Sequence, residues 1–169
     1  MKHPVVDDGS RSSQGYEATA GSRRPKQNRE SLPNTGQTSG MQITRIFTGD
    51  DGQSHFEELE IPSTDFGPPR GEISALIAGS ESFFRTTHTE GDDDVYDYHC
   101  APRRQFVIHL SGSVEIETGD GTKRRFGEGD ILLADDTTGQ GHISRGVQTP
   151  RRQVFIVVSP DVNLESWRK

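Results

Sequence analysis

The sequence predicts an all-β fold, a closed barrel or a two-sheet sandwich, and three observations lead to this prediction. From residue 41 onward, short runs rich in β-branched and aromatic residues alternate with turns that contain glycine and acidic residues. Nowhere does an apolar period of 3.6 residues persist for three turns, so no long helix is expected. The low hydrophobic content, 28%, favours a small barrel, in which only one side of each strand must be apolar.

Ten or eleven short strands are expected in this part of the chain. The candidate segments are 42–47, 55–61, 72–78, 82–87, 95–100, 105–110, 113–118, 123–126, 130–134, 142–147 and 153–159. The clearest hairpin is SVEIETGDGTKRRF, in which Val114 and Ile116 alternate with charged neighbours and glycines at 119 and 121 suit the turn.

Two segments, QFVIHL and QVFIVV, are apolar on both faces, so both faces are expected to be covered. One face would point into the barrel. The other would lie against the N-terminal strands or against a second subunit, and the sequence therefore also predicts a homodimer.

Residues 1–40 differ from the rest of the chain. They are rich in Ser, Gly, Gln, Asn and Arg and contain few sizeable apolar side chains, so they cannot bury enough surface to offset the entropy of ordering. We predict a disordered tail or leader over 1–40 and one barrel domain over 41–169.

Charge and cysteine content narrow the possible partners. Residues 41–169 contain 13 basic and 22 acidic side chains, and so acidic a domain argues against binding to nucleic acid. No apolar stretch approaches the roughly 18 residues that a membrane span requires. The single cysteine, Cys100, cannot form an intramolecular disulfide and fits a reducing compartment, so we expect a cytoplasmic protein.

Two spaced motifs carry a family resemblance. In DYHCAPRRQFVIHLSG, His99 is followed six residues later by Gln105 and then, after six more residues, by Gly112. Further on, Gly129 opens a strand and His142 follows a glycine-rich loop. This pattern resembles the two motifs of the cupin superfamily, G-x5-H-x-H-x3,4-E-x6-G and G-x5-P-x-G-x2-H-x3-N. Over about residues 70–160 the chain is similar to small single-domain bacterial cupins without a characterised activity, and the resemblance implies a jelly-roll barrel with a pocket.

The resemblance also implies a metal position, although the ligand set differs from that of the family. His99 and His142 match, whereas Ala101 replaces the second histidine and Gln105 replaces the glutamate. Strand alternation places Gln105 and His109 on one face. His99, His109 and His142 could then hold one divalent transition metal such as Zn, Fe, Mn or Ni. Alternatively, His109 is a hydrogen-bonded core residue and no metal binds.

Other polar residues near the motifs are candidates for chemistry. Asp135 or Asp136 could orient His142 or act as a general base, or the pair could merely cap a turn. Arg103 could bind a carboxylate or phosphate at the pocket mouth, or pair with the acidic GDDDVYD run. Tyr96, Tyr98 and Phe84 could line the pocket, or these aromatic side chains could be plain core residues.

Two functions compete at this point. The first is an enzyme for a small molecule, a lyase, isomerase or oxygenase, with His142 and Asp135 or Asp136 as catalytic groups. In this case Gln105, Arg103 and Tyr98 would bind the substrate. The second is a module that binds or senses a small ligand without a metal and without chemistry. Polar residues at otherwise apolar inward positions favour the enzyme, because burying them is costly unless they serve a purpose.

Overall fold

The structure, a computed structural model, describes residues 40–168. The prediction of a disordered segment over 1–40 falls, apart from Gly40, outside the described residues. Within 40–168 there are nine strands and two short 3-10 turns, and no helix there is long and apolar enough to cross a membrane. The strands are β1 (Gly40–Thr48), β2 (Ser54–Asp65), β3 (Glu72–Ser74), β4 (Gly79–Thr87), β5 (Val95–His99), β6 (Gln105–Glu117), β7 (Lys123–Phe126), β8 (Ile131–Asp135) and β9 (His142–Val158). The 3-10 turns are Gly91–Asp94 and Glu165–Trp167.

All nine strands belong to one mixed sheet that curls into a half-barrel. Their order is β3-β2-β1-β8-β6-β9-β4, with β5 paired to β9 and β7 paired to β6. All of these pairings are antiparallel except that between β1 and β8. The predicted all-β fold is confirmed.

The two longest strands each join two segments that the sequence predicts as separate. Residues 105–110 and 113–117 lie in β6, and residues 142–147 and 153–158 lie in β9. The pairing of β6 with β9 shifts register three times between His109 and Val114. Such irregularities bend a strand without ending it. The predicted hairpin is confirmed, since Val114 pairs with Phe126 and Glu117 with Lys123.

Side chains alternate along β6, β8 and β9 between the inner and the outer face of the sheet. The inner cluster consists of Ile46, Ala101, Val107, Val114, Ile116, Phe126, Leu132, Ala134 and Phe155. The outer cluster consists of Ile43, Leu59, Ile61, Phe106, Leu133, Val158, Leu164 and Trp167. Both faces are therefore covered, as the two-sided apolar pattern predicts.

The outer face is sealed by residues of the same chain. Residues Ile43, Leu59 and Ile61 of β1 and β2 cover one part of it, and the Trp167 ring stacks on Phe106 with centroids 6.3 Å apart. The N-terminal strands occupy the face as predicted, together with a C-terminal segment that the sequence did not single out. The apolar outer face thus needs no second subunit, and the homodimer stays a prediction without support from this packing.

Candidate functional site

The inner face encloses an open cavity of about 420 Å³, called the barrel cavity below. Its wall combines apolar strand residues with polar groups. The lining residues are Phe83, Arg85, Tyr96, His99, Ala101, Pro102, Gln105, Val107, His109, Val114, Ile116, Leu132, Ala134, His142, Ser144, Arg151, Gln153 and Phe155. None of these described lining residues is acidic, although the chain as a whole has a net charge of −7.

His142 is anchored from behind by a buried carboxylate. The Nδ1 atom of His142 lies 2.6 Å from Oδ2 of Asp136, and the hydroxyl of Ser54 donates to the same oxygen at 2.8 Å. Asp136 and Ser54 are fully buried. Because Nδ1 is bound to the carboxylate, the lone pair of His142 is on Nε2, the atom that remains for a ligand in the cavity.

His99 is anchored in a similar way and lies next to His142. Its Nδ1 donates to the carbonyl oxygen of Asp97 at 2.8 Å, and its ring centroid is 4.4 Å from that of His142. Burial lowers the pKa of His99 by more than the hydrogen bond to the carbonyl of Asp97 raises it, so the ring is neutral at pH 7.

A glycine allows the two histidines to pair. His99 and His142 are register partners across β5 and β9, and Gly141 immediately precedes β9. Its φ is +78°, and a Cβ at this position would collide with the carbonyl of His99. Only glycine allows the chain to enter β9 so close to β5.

Alternation along β6 brings Gln105, Val107 and His109 into the cavity wall, as the sequence predicts. The Oε1 atom of Gln105 is buried and has no hydrogen-bond partner among the described residues. His109 points inward but lies four residues beyond Gln105, roughly 13 Å along the strand. Its Nδ1 is 3.4 Å from Nε2 of Gln153, so its polar partner is Gln153.

The donors near His99 and His142 do not fit a tight site for a divalent cation. Among residues 40–168, no three His, Cys, Asp or Glu side chains converge as a metal-binding group, so His109 does not join the other two histidines. What remains is two neutral imidazoles and the neutral amide of Gln105, without the anionic ligand that would neutralise the ion. The predicted Zn, Fe, Mn or Ni ion stays a prediction.

Of the two candidate aspartates, Asp136 lies beneath the cavity and Asp135 lies on the outer face. Consecutive strand residues point to opposite faces, and Asp135 meets Arg45 and Arg104 there. Nε of Arg45 donates to Asp135 Oδ2 at 2.9 Å, and Nε of Arg104 donates to Oδ1 at 2.6 Å. Asp135 is not among the lining residues, and its contacts are those of a structural ion pair.

Arg103 and Tyr98 also lie outside the cavity lining. Arg103 is exposed and forms an ion pair with Glu81 at 3.5 Å, so it contacts neither the pocket nor the acidic run. Tyr98 and Phe84 are exposed and absent from the lining, whereas Tyr96 lies in the wall, with its ring edge-on to His99 at a centroid distance of 4.1 Å. The pairing of β5 with β9 shifts register between Tyr96 and His99, so simple strand alternation does not hold across this stretch.

Five polar residues of the site escaped the sequence reasoning. Ser54 reaches Asp136 from β2, and the cavity is lined by Arg85 of β4 and by Ser144, Arg151 and Gln153 of β9. Arg151, Gln153 and Phe155 alternate along β9 and share the inner face, so the period of two could have indicated that Arg151 and Gln153 point into the cavity. Ser54 and Arg85 lie on strands far away in sequence and carried no local signal.

Comparisons with known proteins add little to this geometry. No family model matches the chain, and no curated protein matches it. A conserved protein of unknown function from Streptococcus pyogenes, SPY1581, aligns with 21% identity over 52% of this chain and 82% of its own, at a TM-score of 0.32. A putative ethanolamine utilization protein, EutQ, from Salmonella typhimurium LT2 aligns with 12% identity over 71% of this chain and 97% of its own, at a TM-score of 0.26. At these TM-scores neither structure carries an argument about activity.

Proposed function

We propose that the chain binds a small molecule in the barrel cavity and transfers a proton on it, as an isomerase or a lyase does. The observation that carries the proposal is the contact between His142 and the fully buried Asp136, with Ser54 on the same carboxylate oxygen. A buried carboxylate that binds Nδ1 of a histidine fixes its tautomer and stabilises the imidazolium that forms when Nε2 accepts a proton.

In the proposed step, Nε2 of His142 removes a proton from a carbon next to a carbonyl group. The C–H bond breaks, an N–H bond forms, and the electron pair moves onto the carbonyl oxygen as an enolate. Arg85, which also lines the cavity, can donate to that oxygen. Return of the proton to a different carbon completes an isomerisation, whereas departure of a leaving group from the neighbouring carbon completes an elimination.

His99 serves this step as a second neutral imidazole. Since its pKa lies below the ordinary value, it stays uncharged and does not repel the imidazolium that forms on His142 4.4 Å away. Its Nε2 is available to accept a hydrogen bond from a hydroxyl group of the substrate.

The test follows deuterium exchange from D2O into small ketones and 2-oxo acids by proton NMR. We expect the protein to accelerate exchange at the carbon next to the carbonyl for at least one of these compounds. His142→Asn should reduce the rate by about 10²–10⁴-fold, the range for a positioned general base. Exchange that is equally fast in this variant would show that His142 is not the base.

A second candidate function is ligand binding without chemistry, and the unpaired buried amide oxygens of Gln105 and Gln153 favour it. Such atoms bind the donors of a polar ligand whether or not a reaction follows. Ligand binding that persists in His142→Asn, with no exchange in the wild type, would support this alternative.

Measuring the metal content of the purified protein distinguishes these two metal-free functions from a function that depends on the predicted metal site. The proposed step needs no metal. Stoichiometric transition metal in the wild type that is lost in His142→Ala would contradict the metal-free mechanism and would support His99 and His142 as ligands.

A further inference from the structure

The barrel cavity has a second polar end, formed by His109, Arg151 and Gln153. These side chains are 1%, 3% and 5% exposed, and all three line the cavity. His109 and Gln153 are register partners on β6 and β9. Neither the proposed base His142 nor its anchors contact this end, so the proposed proton transfer does not explain why three polar groups are buried here.

Two of the three guanidinium nitrogens of the buried Arg151 lack a hydrogen-bond acceptor among the described residues. Its Nη1 lies 2.8 Å from Oδ2 of Asp94, close enough for an ion pair. The direction of approach does not make a hydrogen bond, however, and neither Nη1 nor Nε has a hydrogen-bond acceptor among the described residues. Gly146 permits this approach, since a Cβ there would collide with the Asp94 carboxylate. Buried guanidinium donors without acceptors are costly and point to an acceptor supplied by a ligand.

His109 adds a second donor at the same end. Burial lowers its pKa to about 4, against an ordinary value of 6.5, and the positive charge of Arg151 contributes to this lowering. The ring is therefore neutral at pH 7 and close to Arg151. Its Nδ1 faces the amide nitrogen of Gln153 at 3.4 Å and accepts from it, so the ring hydrogen is on Nε2. This Nε2 is buried and has no partner among the described residues.

The wall between the two ends is apolar, and it includes Val107, Leu132 and Phe155. Among the described residues no carboxylate lines the cavity, since Asp136 lies behind His142 and Asp94, which pairs with Arg151, is outside the lining. A ligand that spans the cavity would therefore be apolar in its middle part, with an acceptor group at the Arg151 end. A carboxylate meets this requirement best, since it accepts two hydrogen bonds from a guanidinium.

We infer that the barrel cavity binds small organic acids, with the carboxylate of the ligand held by Arg151 and His109. This inference rests on the proposed function for the position of the reacting carbon, at the His142 end. It assigns to Arg151 the binding of an anionic group that the sequence suggested for Arg103.

The experiment measures the affinity for benzoate and for its neutral isostere benzamide by isothermal titration calorimetry at pH 7. We expect the wild type to bind benzoate about tenfold more tightly than benzamide, because only the carboxylate brings a negative charge and two acceptor oxygens to the guanidinium. Arg151→Gln, combined with Asp94→Asn so that no buried charge is left unpaired, should abolish the preference.

The single variant Asp94→Asn gives a second test, because it should increase affinity, and damage to the fold would not do so. Removal of the carboxylate that competes for Arg151 should tighten benzoate binding several-fold and leave benzamide binding unchanged. The matched control is Arg152→Gln, the neighbouring arginine, which is exposed and lies on the opposite face of β9. It should bind benzoate as the wild type does.

Three results would overturn the inference. The first is equal affinity of the wild type for benzoate and benzamide, and the second is that neither compound binds at millimolar concentration. The third is a loss of benzoate affinity in Arg152→Gln as large as that in the Arg151 variant. The proposed proton transfer can fail independently of this inference. It fails if no compound undergoes exchange while the preference for benzoate persists in His142→Asn. Exchange by a wild type that has no preference for the carboxylate would overturn only the inference about Arg151.

Discussion

Two adjacent aspartates lie on opposite faces of the sheet and differ in their partners. On the outer face, Asp135 has two arginine partners, Arg45 and Arg104, and the apolar residues around it are sealed by Trp167. On the inner face, Asp136 has no arginine and binds only Ser54 and His142, through one of its two oxygens, while Oδ1 has no partner among the described residues.

Two adjacent residues at the end of β8 therefore have different roles: Asp135 stabilises the fold, and Asp136 supports the candidate site. A buried charge that is paired on every side contributes to the fold, whereas polar groups left short of partners lose stability unless a ligand or a reaction uses them. The outer face is completed by the chain itself. The inner face carries unpaired donors and acceptors on Gln105, His109, Arg151 and Gln153, and it is therefore the face at which function is expected.

The largest expected effect comes from breaking the inner pair without changing its shape. Asp136→Asn should lower the rate of deuterium exchange by about 10³-fold, because the amide no longer fixes the tautomer of His142 or stabilises its charged form. The matched change on the outer face, Asp135→Asn, should leave the rate close to that of the wild type. Equal losses in the two variants would contradict the distinction between the faces.

On the outer face, the packing of Trp167 on Phe106 should affect stability and not the rate of exchange. Trp167→Ala removes the ring that stacks on Phe106 and should lower the free energy of unfolding by about 3–4 kcal/mol, as large-to-small changes in a core do. Urea unfolding measures this loss. Phe84→Ala is the control, since Phe84 is 77% exposed and should change the free energy of unfolding by less than about 0.5 kcal/mol.

The inner face should also make stability depend on pH through His109. Its pKa is about 4 in the folded state, and 6.5 is the ordinary value for the unfolded chain. Between these values the unfolded chain binds the proton and the folded chain does not, so stability falls as pH is lowered from 6.5 towards 4. The loss from this residue amounts to at most about 3 kcal/mol.

Urea unfolding at several pH values checks this dependence. His109→Phe should flatten the slope between pH 4 and 6.5, although His99, whose pKa is also lowered, will keep a part of it. His88→Gln changes an exposed histidine and should leave the slope unchanged. A slope that stays the same in His109→Phe would show that the proton is taken up elsewhere.

The smallest effect concerns the paired aspartate of the outer face. Asp135→Ala leaves Arg45 and Arg104 without their shared carboxylate and should cost about 2 kcal/mol of unfolding free energy, less than for a deeply buried pair because both arginines are partly exposed. Glu58→Gln, in an exposed ion pair with Arg124, should cost less than about 1 kcal/mol. If the two losses were equal, the outer network would be no more than a surface ion pair.

Alternation and spacing were enough to predict the strands and a part of the site. The period of two along β6 placed Gln105, Val107 and His109 on one face, and the resemblance to the two cupin motifs implied that His99 and His142 share the pocket. The period is a local signal, because a strand orients each side chain by its position in the strand. The period of two does not hold along β5, whose pairing with β9 shifts register between Tyr96 and His99.

What the sequence by itself determined is therefore the all-β class, the hairpin at 113–126, the two-sided burial of β6 and β9, and the identity of the paired histidines. Only the tertiary structure decided which aspartate supports His142, that His109 belongs with Arg151 and Gln153, and that Ser54 and Trp167 complete the inner and outer faces. The physical reason is that these contacts join strands up to 82 residues apart, as between Ser54 and Asp136. Such contacts depend on how the sheet curls, and no local pattern in the chain encodes that curvature.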